Sequence, residues 1–157
     1  MVPVRVTALT EPAADRLTSV AGVFDQYQRH YGQPVVAGQT LAWLTEQTSH
    51  RRLAIFVAHV GEDLAGLATT AVVPASLRLG WSWQLRDLYV VPGARHRGVA
   101  RALVGAVRQA ATAAGAIRLS VQTESGNTAA LQLYQATGFV PVRDIEILAL
   151  PLQRGGA

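Results

Sequence analysis

Residues 90–110 have the sequence VVPGARHRGVARALVGAVRQA, which joins two patterns of different periodicity. An apolar run closes at Pro92, a short segment brings in Arg95, Arg97 and Gly98, and apolar residues then recur at helical spacing. This order predicts a strand, a tight turn and a helix. The first amides of such a helix lack intrahelical acceptors and lie at the positive end of its dipole. The junction therefore predicts an anion site, with a diphosphate as the natural occupant.

Strand and helix patterns alternate on both sides of this junction. Strands are predicted over residues 2–9, 53–60, 64–73, 84–91, 117–123 and 146–150, and helices over 11–32, 37–48, 99–115 and 127–138. Gly61 sits in a hairpin turn between two of the strands, and Gly115 and Gly138 are predicted helix stops. We expect one mixed α/β domain over residues 1–152 and a flexible tail over 153–157.

The composition excludes several classes of chemistry. The 157 residues are 50% apolar, which suits a single core, and they include no cysteine. Disulfides, thiolate metal sites and an acyl-cysteine intermediate are therefore excluded. All 14 basic side chains are arginine, so neither a phosphate-loop lysine nor a Schiff-base lysine is possible.

Charge and hydropathy bear on location and partners. No run of about eighteen apolar residues and no signal-peptide pattern is present, so we expect a cytoplasmic chain without a membrane partner. A net charge of +4 with mostly scattered arginines argues against a nucleic-acid partner.

Two motifs resemble elements of the GNAT superfamily of N-acetyltransferases. Arg95-x-x-Gly98-x-Ala100 after a strand ending in Val-x-Pro is similar to its acyl-CoA signature, and "NTAALQLYQATGF", residues 127–139, is similar to its second element. The resemblance covers about residues 53–150, and "FDQYQRHYGQ" also resembles the branch of polyamine and histone-tail acetyltransferases. It implies an α/β (α+β) fold with a mixed, mostly antiparallel sheet of six to seven strands and about four helices.

The resemblance implies acetyl-CoA as co-substrate and no metal. Backbone amides of the turn would hold its pyrophosphate, the preceding strand would bond its pantetheine, and the last helix would lie along it. The implied contacts are Leu88, Tyr89, Val90, Arg95, His96, Arg97, Gly98, Val99, Ala100, Arg101, Asn127, Ala130 and Tyr134.

The same resemblance suggests catalytic roles. Tyr134 would be the general acid that protonates the departing thiolate, and the N–H of Val90 or Val91 would polarise the carbonyl. Asp87 is either a general base or a structural carboxylate, with a water chain as the other route for the proton. Since an acyl-cysteine relay is excluded, we expect direct attack in a ternary complex.

The acceptor is expected to be a primary amine of a small molecule or peptide. The resemblance implies Tyr27, Tyr31, Trp81 and Trp83 as its candidate contacts, whereas Trp43 is assigned to the core and His59 is interpreted as a satisfied core histidine. A homodimer through the C-terminal strands is also expected. Two alternatives stay open: a catalytically silent acyl-CoA-binding regulatory module, and an enzyme that acylates a nucleic-acid-linked amine.

Overall fold

The computed structural model describes residues 2–10 and 12–154 of the chain. These residues form five strands and four helices. The strands are β1 (Val4–Leu9), β2 (Ala54–Val60), β3 (Asp63–Ala75), β4 (Gly80–Val90) and β5 (Arg118–Val121), and the helices are α1 (Ala14–His30), α2 (Gln39–Ser49), α3 (Val99–Ala113) and α4 (Thr128–Ala136). Gly115 and Gly138, at φ of 71° and 101°, follow α3 and α4 as the predicted stops.

The sheet has the strand order β1-β2-β3-β4-β5. The first four strands pair antiparallel, and β5 pairs parallel with β4. The chain passes from β4 to β5 through α3, which is the crossover that a parallel pair requires. The expected mixed, mostly antiparallel sheet with four helices is therefore confirmed.

Two clusters of buried side chains hold the layers together. Leu17, Val20 and Phe24 of α1 pack with Ile55 and Leu67 on one face of the sheet. A second cluster joins α3 and α4 to the opposite face and contains Phe56, Ala68, Leu85, Leu103, Val107 and Tyr134. Each face of the sheet is thus covered by a different pair of helices, and β4 contributes side chains to both clusters.

The chain after α4 departs from the prediction. Residues 140–154 adopt no regular structure, so the strand predicted over residues 146–150 does not form. Asp144 has a φ of 62°, which interrupts an extended backbone, and Pro141 has no N–H to donate. The expected count of six to seven strands is therefore wrong, and the sheet formed by the described residues has five strands.

The apolar residues of this segment remain at the surface. Their exposed side chains are Val140, Val142, Ile145, Ile147, Leu148, Leu150 and Leu152. Of the tail predicted over 153–157, residues 153 and 154 have no regular structure, and 155–157 lie outside the described residues. Among the helices that the structure describes, none combines the length and the apolar character needed to cross a membrane.

Candidate active site

A gap opens between β4 and β5 where their pairing ends. The two strands pair only from Ser82 with Arg118 to Leu85 with Val121. The second half of β4, residues 86–90, therefore has no neighbour on that side of the sheet. It retains its pairing with β3 on the other side, up to Val90 opposite Gly66.

The hydrogen-bond pattern decides which amides face this gap. The Val91 N–H donates to the Ala65 carbonyl at 2.9 Å, so it is committed to β3. Directly opposite pairs in an antiparallel ladder are hydrogen-bonded in alternation. The backbone groups of Leu88 and Val90 consequently point away from β3 and into the gap. Two backbone N–H groups, those of Val90 and Val91, were predicted to polarise the thioester carbonyl. The Val91 N–H is already hydrogen-bonded to β3, whereas the Val90 N–H is available.

A glycine permits the close pairing behind this gap. A Cβ on Gly66 would lie 2.6 Å from the Tyr89 carbonyl oxygen and 3.3 Å from a Val99 methyl group. Glycine therefore lets β3, β4 and the start of α3 approach one another. This packing anchors the strand whose free edge lines the gap.

The start of α3 supplies unpaired amides beside the gap. Gly98 precedes the helix with φ 79°, and no side chain caps the helix N-terminus. The first intrahelical bond runs from Ala102 N–H to the Gly98 carbonyl at 2.9 Å, which leaves the amides of Val99, Ala100 and Arg101 without helical acceptors. These free amides at the positive end of the helix have the geometry expected of the anion site that the sequence predicts.

The arginines of the turn divide into two groups. Arg97 and Arg101, like His96, have exposed side chains around the helix start. Arg95 instead folds back along β4, where its Nε donates to the Val90 carbonyl at 3.1 Å. Its guanidinium carbon also lies 5.7 Å from the centre of the Tyr89 ring. Arg95 therefore braces the end of β4, whereas Arg97 and Arg101 add charge near the free amides.

A β-bulge in β4 turns two charged residues toward α1 and α2. Thr69 pairs with Asp87 and Thr70 with Leu85, so Arg86 is the extra residue. Leu85 and Leu88 both pack in the cluster under α3, although three positions apart in a strand they would face opposite sides of a regular sheet. The bulge therefore places Arg86 and Asp87 together on the other face.

Asp87 is held by two hydroxyl groups on that face. The Tyr27 hydroxyl of α1 donates to Asp87 Oδ1 at 3.1 Å, and the Thr69 hydroxyl of β3 donates to Asp87 Oδ2. These bonds fix the orientation of the carboxylate. Burial and the neighbouring Asp87 carboxylate raise the pKa of Tyr27, so Tyr27 remains a neutral donor at physiological pH.

Tyr134 of α4 lies in the cluster on the other face of the sheet. Its side chain is only 8% exposed, and its ring packs edge-on against Phe139 with centroids 5.5 Å apart. Burial raises the pKa of Tyr134, and the Tyr31 phenol contributes in the same direction. The Tyr134 phenol makes a small contribution to the raised pKa of Tyr27. Tyr134 packs in the cluster under α3 and α4, whereas Tyr27 contacts Asp87 on the face covered by α1, so the two phenols belong to opposite faces of the sheet.

The other predicted contact positions at the start of α4 have structural contacts. Asn127 caps the helix, since its Oδ1 accepts from the Ala130 N–H at 3.2 Å. Its side-chain amide nitrogen has no hydrogen-bond partner among residues 2–10 and 12–154 and is available to a ligand. Ala130 packs against the cluster beneath α3.

A cavity of about 350 Å³ lies beside Asp87. It is lined by Phe24, Trp43, Gln47, Arg52, Leu53, Arg86 and Asp87. The assignment of Trp43 to the core is wrong, because this side chain is 44% exposed at the cavity. The Arg52 guanidinium is 3.5 Å from the Glu46 carboxylate at its rim.

The remaining predicted acceptor contacts fall in different places. Tyr27 and Tyr31 lie next to each other, with ring centroids 5.3 Å apart, on the face that holds Asp87. Trp83 packs in the cluster under α3, on the opposite face. Trp81 lies on β4 before the bulge, opposite Pro74, and is 54% exposed. The structure therefore brings Tyr27 into contact with Asp87 and Tyr31 against Tyr27, and it brings neither tryptophan to Asp87.

Thr69 is a site residue that the sequence analysis missed. Thr69 and Thr70 are buried hydroxyl residues in the middle of an apolar strand. A buried hydroxyl needs a partner, so the pair within LAGLATTAVV was a usable signal for a polar contact at this place. No comparable sequence signal marks Arg52 or Gln47.

The comparisons with known proteins concern the family and the fold. Residues 21–139 match the acetyltransferase (GNAT) family model. YhfO, an uncharacterized N-acetyltransferase of Bacillus subtilis (strain 168), is 29% identical over 121 residues, which cover 77% of this chain and 81% of that protein. A mycothiol acetyltransferase of Cellulomonas flavigena is 34% identical over 125 residues, 78% of this chain, but the chain spans only 34% of that longer protein.

Solved structures share the fold over nearly the whole chain. The crystal structure of a probable acetyltransferase superposes with a TM-score of 0.88 at 25% identity, covering 96% of this chain and 99% of the other. The aminoglycoside N-acetyltransferase AAC(6')-Iy, in complex with CoA, superposes with a TM-score of 0.75 at 22% identity and 96% coverage of each chain. The family model spans β4, α3 and α4, which build the gap, so the chain belongs to the GNAT family of acetyltransferases and is an acyltransferase enzyme.

Proposed function

We propose that the protein transfers an acetyl group from acetyl-CoA to a primary amine by direct attack within a ternary complex. The observation that carries this proposal is the gap between β4 and β5, which has free backbone groups of β4 along one side. The Tyr27–Asp87 pair lies on one face of this part of the sheet, and Tyr134 packs on the other face, so candidate proton-transfer groups are present on both faces. That AAC(6')-Iy, which shares this fold, was solved with CoA supports the choice of co-substrate.

The start of α3 fits the charged end of acetyl-CoA. The pyrophosphate would accept from the amides of Val99, Ala100 and Arg101, while Arg97 adds charge nearby. The pantetheine arm would lie along the free edge of β4 and bond Leu88 and Val90. Acetyl-CoA supplies the activated acyl group, and the Val90 N–H is aimed to polarise its carbonyl.

The acid and base roles follow from the state of each group. An alkylamine is mostly protonated at pH 7, so a proton must leave before attack. Asp87 is the acid side chain at the site, and its carboxylate retains lone pairs beyond those used by Tyr27 and Thr69. It would accept that proton directly or through water. The raised pKa keeps Tyr134 protonated, which suits a donor to the departing thiolate.

The cavity beside Asp87 favours an acceptor that carries both charges. Arg52 and Arg86 line the same 350 Å³ space as Asp87. A polyamine would meet two guanidinium groups there, whereas an amino acid or short peptide could place its ammonium near Asp87 and its carboxylate near the arginines. Phe24 and Trp43 offer apolar contact for a side chain. We therefore propose a small amine with an anionic group as the acceptor.

A thiol-release assay with a panel of amines tests both statements. Amino acids and short peptides should support turnover, and polyamines and aminoglycosides should support less. Initial-velocity lines should intersect, as expected for a ternary complex, whereas parallel lines would contradict direct attack. Arg86→Gln should raise the KM for a zwitterionic acceptor more than for a simple alkylamine, and Arg78→Gln, an exposed arginine outside the cavity, is the matched control.

The same assay separates the two alternatives. A silent acyl-CoA-binding module would bind acetyl-CoA and release no thiol with any amine. An enzyme acting on a nucleic-acid-linked amine would be active only with that substrate and would lose affinity steeply with salt. Either result would reject a small zwitterionic acceptor.

A further inference from the structure

A second and larger cavity lies at the β1 edge of the sheet, away from the gap between β4 and β5 and on the face covered by α1. It has a volume of about 490 Å³, lies between α1 and the first two strands, and has no lining residue in common with the cavity beside Asp87. Its polar lining consists of Arg5, Thr7, Arg16, Ser19 and His59. We refer to it as the Arg5–His59 cleft.

The sheet brings a cation and a histidine side by side in this cleft. Arg5 of β1 is directly opposite His59 of β2 in the antiparallel register, so their Cβ atoms are neighbours on one face. Arg16 of α1 adds a second guanidinium from above. Two guanidinium groups that line one cavity favour an anion between them.

Nothing in the described part of the chain neutralises this charge. No carboxylate is among the cleft-lining residues, and within residues 2–10 and 12–154 neither Arg5 nor Arg16 forms an ion pair. The two guanidinium groups are exposed to solvent at the mouth, where a ligand can reach them. The cleft therefore has an excess of positive charge and of hydrogen-bond donors.

His59 supplies an unmet polar atom inside the cleft. Its Nδ1 is buried and has no hydrogen-bond partner among the residues that the structure describes, so the expected satisfied core histidine is not found. A buried polar atom without a partner costs free energy that a ligand can recover. An anionic oxygen that accepted from Nδ1–H would also lie beside Arg5.

The rest of the lining is apolar. Val20 of α1 and Val57 of β2 are buried, and Leu64 completes this part of the wall. The volume falls within the usual 300–1,000 Å³ of small-molecule sites, whose walls are mostly apolar with a few convergent polar groups. An apolar body attached to an anionic head matches this lining better than an inorganic ion does.

We propose that the Arg5–His59 cleft binds a small organic anion, a carboxylate or a phosphate monoester on an apolar body, at a site separate from acetyl transfer. The head accepts hydrogen bonds from Arg5, Arg16 and His59 Nδ1, and the body packs on the apolar wall. Thr7 and Ser19 offer further hydroxyl donors.

The test is a ligand titration of the full chain, in which ¹H–¹⁵N NMR spectra of the histidine rings report binding. The probes are benzoate and phenyl phosphate, with benzyl alcohol as the uncharged match, and coenzyme A is kept at saturation so that the α3 site does not compete. The His59 signal is identified by its loss in His59→Gln. At least one anionic probe should shift it saturably, and comparison of the two shows whether the head is a carboxylate or a phosphate.

Substitutions at the mouth of the cleft complete the test. Arg5→Gln and Arg16→Gln should each raise the Kd of the bound probe by about tenfold or more, because each removes a charge-assisted contact. Arg118→Gln, an exposed arginine on β5, should leave it unchanged. No saturable shift with either anion, equal binding of benzyl alcohol, or an unchanged Kd in both cleft variants would each overturn the proposal.

Discussion

Two tyrosine-to-phenylalanine substitutions should separate catalysis from structure at the active site. The Tyr134 hydroxyl has no hydrogen-bond partner in the described residues, while the Tyr27 hydroxyl donates to Asp87 at 3.1 Å. Tyr134→Phe should therefore change the free energy of unfolding by less than about 0.5 kcal/mol. Tyr27→Phe should cost about 1.5 kcal/mol, the lower end of the range for a bond to a charged group, because the pair is only partly buried.

The catalytic effects should have the opposite order. Loss of a general acid lowers the rate by about 10²–10⁴-fold, which corresponds to roughly 3–5 kcal/mol of activation free energy. Tyr134→Phe should show this loss in kcat at an unchanged Kd for acetyl-CoA. Tyr27→Phe leaves the acid in place and disturbs only the orientation of Asp87, so a smaller loss is expected.

The pH profile gives an independent check of the same assignment. Because burial raises the pKa of Tyr134, the acid stays protonated beyond the ordinary tyrosine value of about 10. The kcat of the wild type should show no alkaline decline from this group below that pH. Thiol release for both variants and urea unfolding provide the measurements. A Tyr134→Phe enzyme with kcat within threefold of wild type would refute the role of the phenol as general acid.

Four further outcomes are expected. Arg97→Ala should raise the Kd for acetyl-CoA by about tenfold, measured by calorimetry, and the difference should shrink at high salt. Gly66→Ala should lower the free energy of unfolding by about 1–3 kcal/mol, because its Cβ would lie 2.6 Å from a main-chain oxygen of β4, whereas Gly22→Ala, in open space on α1, should raise it by up to about 1 kcal/mol. Because the pKa of Tyr27 is raised in the folded state, the unfolded chain loses this proton first as pH rises above about 10. The free energy of unfolding, measured in urea, should therefore have its full contribution from Tyr27 below that pH and decline above it. The decline should be smaller in Tyr27→Phe. A second copy that covers the exposed apolar side chains of residues 140–154 should appear as a dimer in sedimentation equilibrium, and removal of those residues should give a monomer.

Local sequence was sufficient to predict the turn and the helix start at α3. A run closed by Pro92, a glycine at the turn and helical spacing afterwards are properties of neighbouring residues, and the structure has the helix start at Val99 with Gly98 at φ 79°. The predicted anion site rests on that local order alone. The second element, from Asn127 onward, forms a capped helix for the same reason.

Local sequence patterns could not predict features that depend on contacts between distant parts of the chain. The apolar run within residues 146–150 predicted a strand, but a strand needs a partner, and Asp144 at φ 62° turns the chain away from an extended path. Trp43 has the spacing of a core residue on α2, and only the position of α2 over β4 leaves it exposed at the cavity. His59 lies in an apolar run, and its lack of a partner follows from what surrounds it in space.

The bulge at Arg86 links the two halves of the active site. The pairing of β4 with β5 ends at Leu85, and the extra residue comes immediately afterwards. A bulge increases the local twist of its strand, so it directs the second half of β4 away from β5 and frees the backbone of Leu88 and Val90. The same extra residue reverses the side-chain alternation and brings Asp87 under Tyr27 instead of under α3. One inserted residue thus accounts both for the gap that would receive the coenzyme and for the carboxylate that would receive the proton. It follows that deletion of Arg86 should remove both features together, a coupling that substitution of Asp87 alone cannot reproduce.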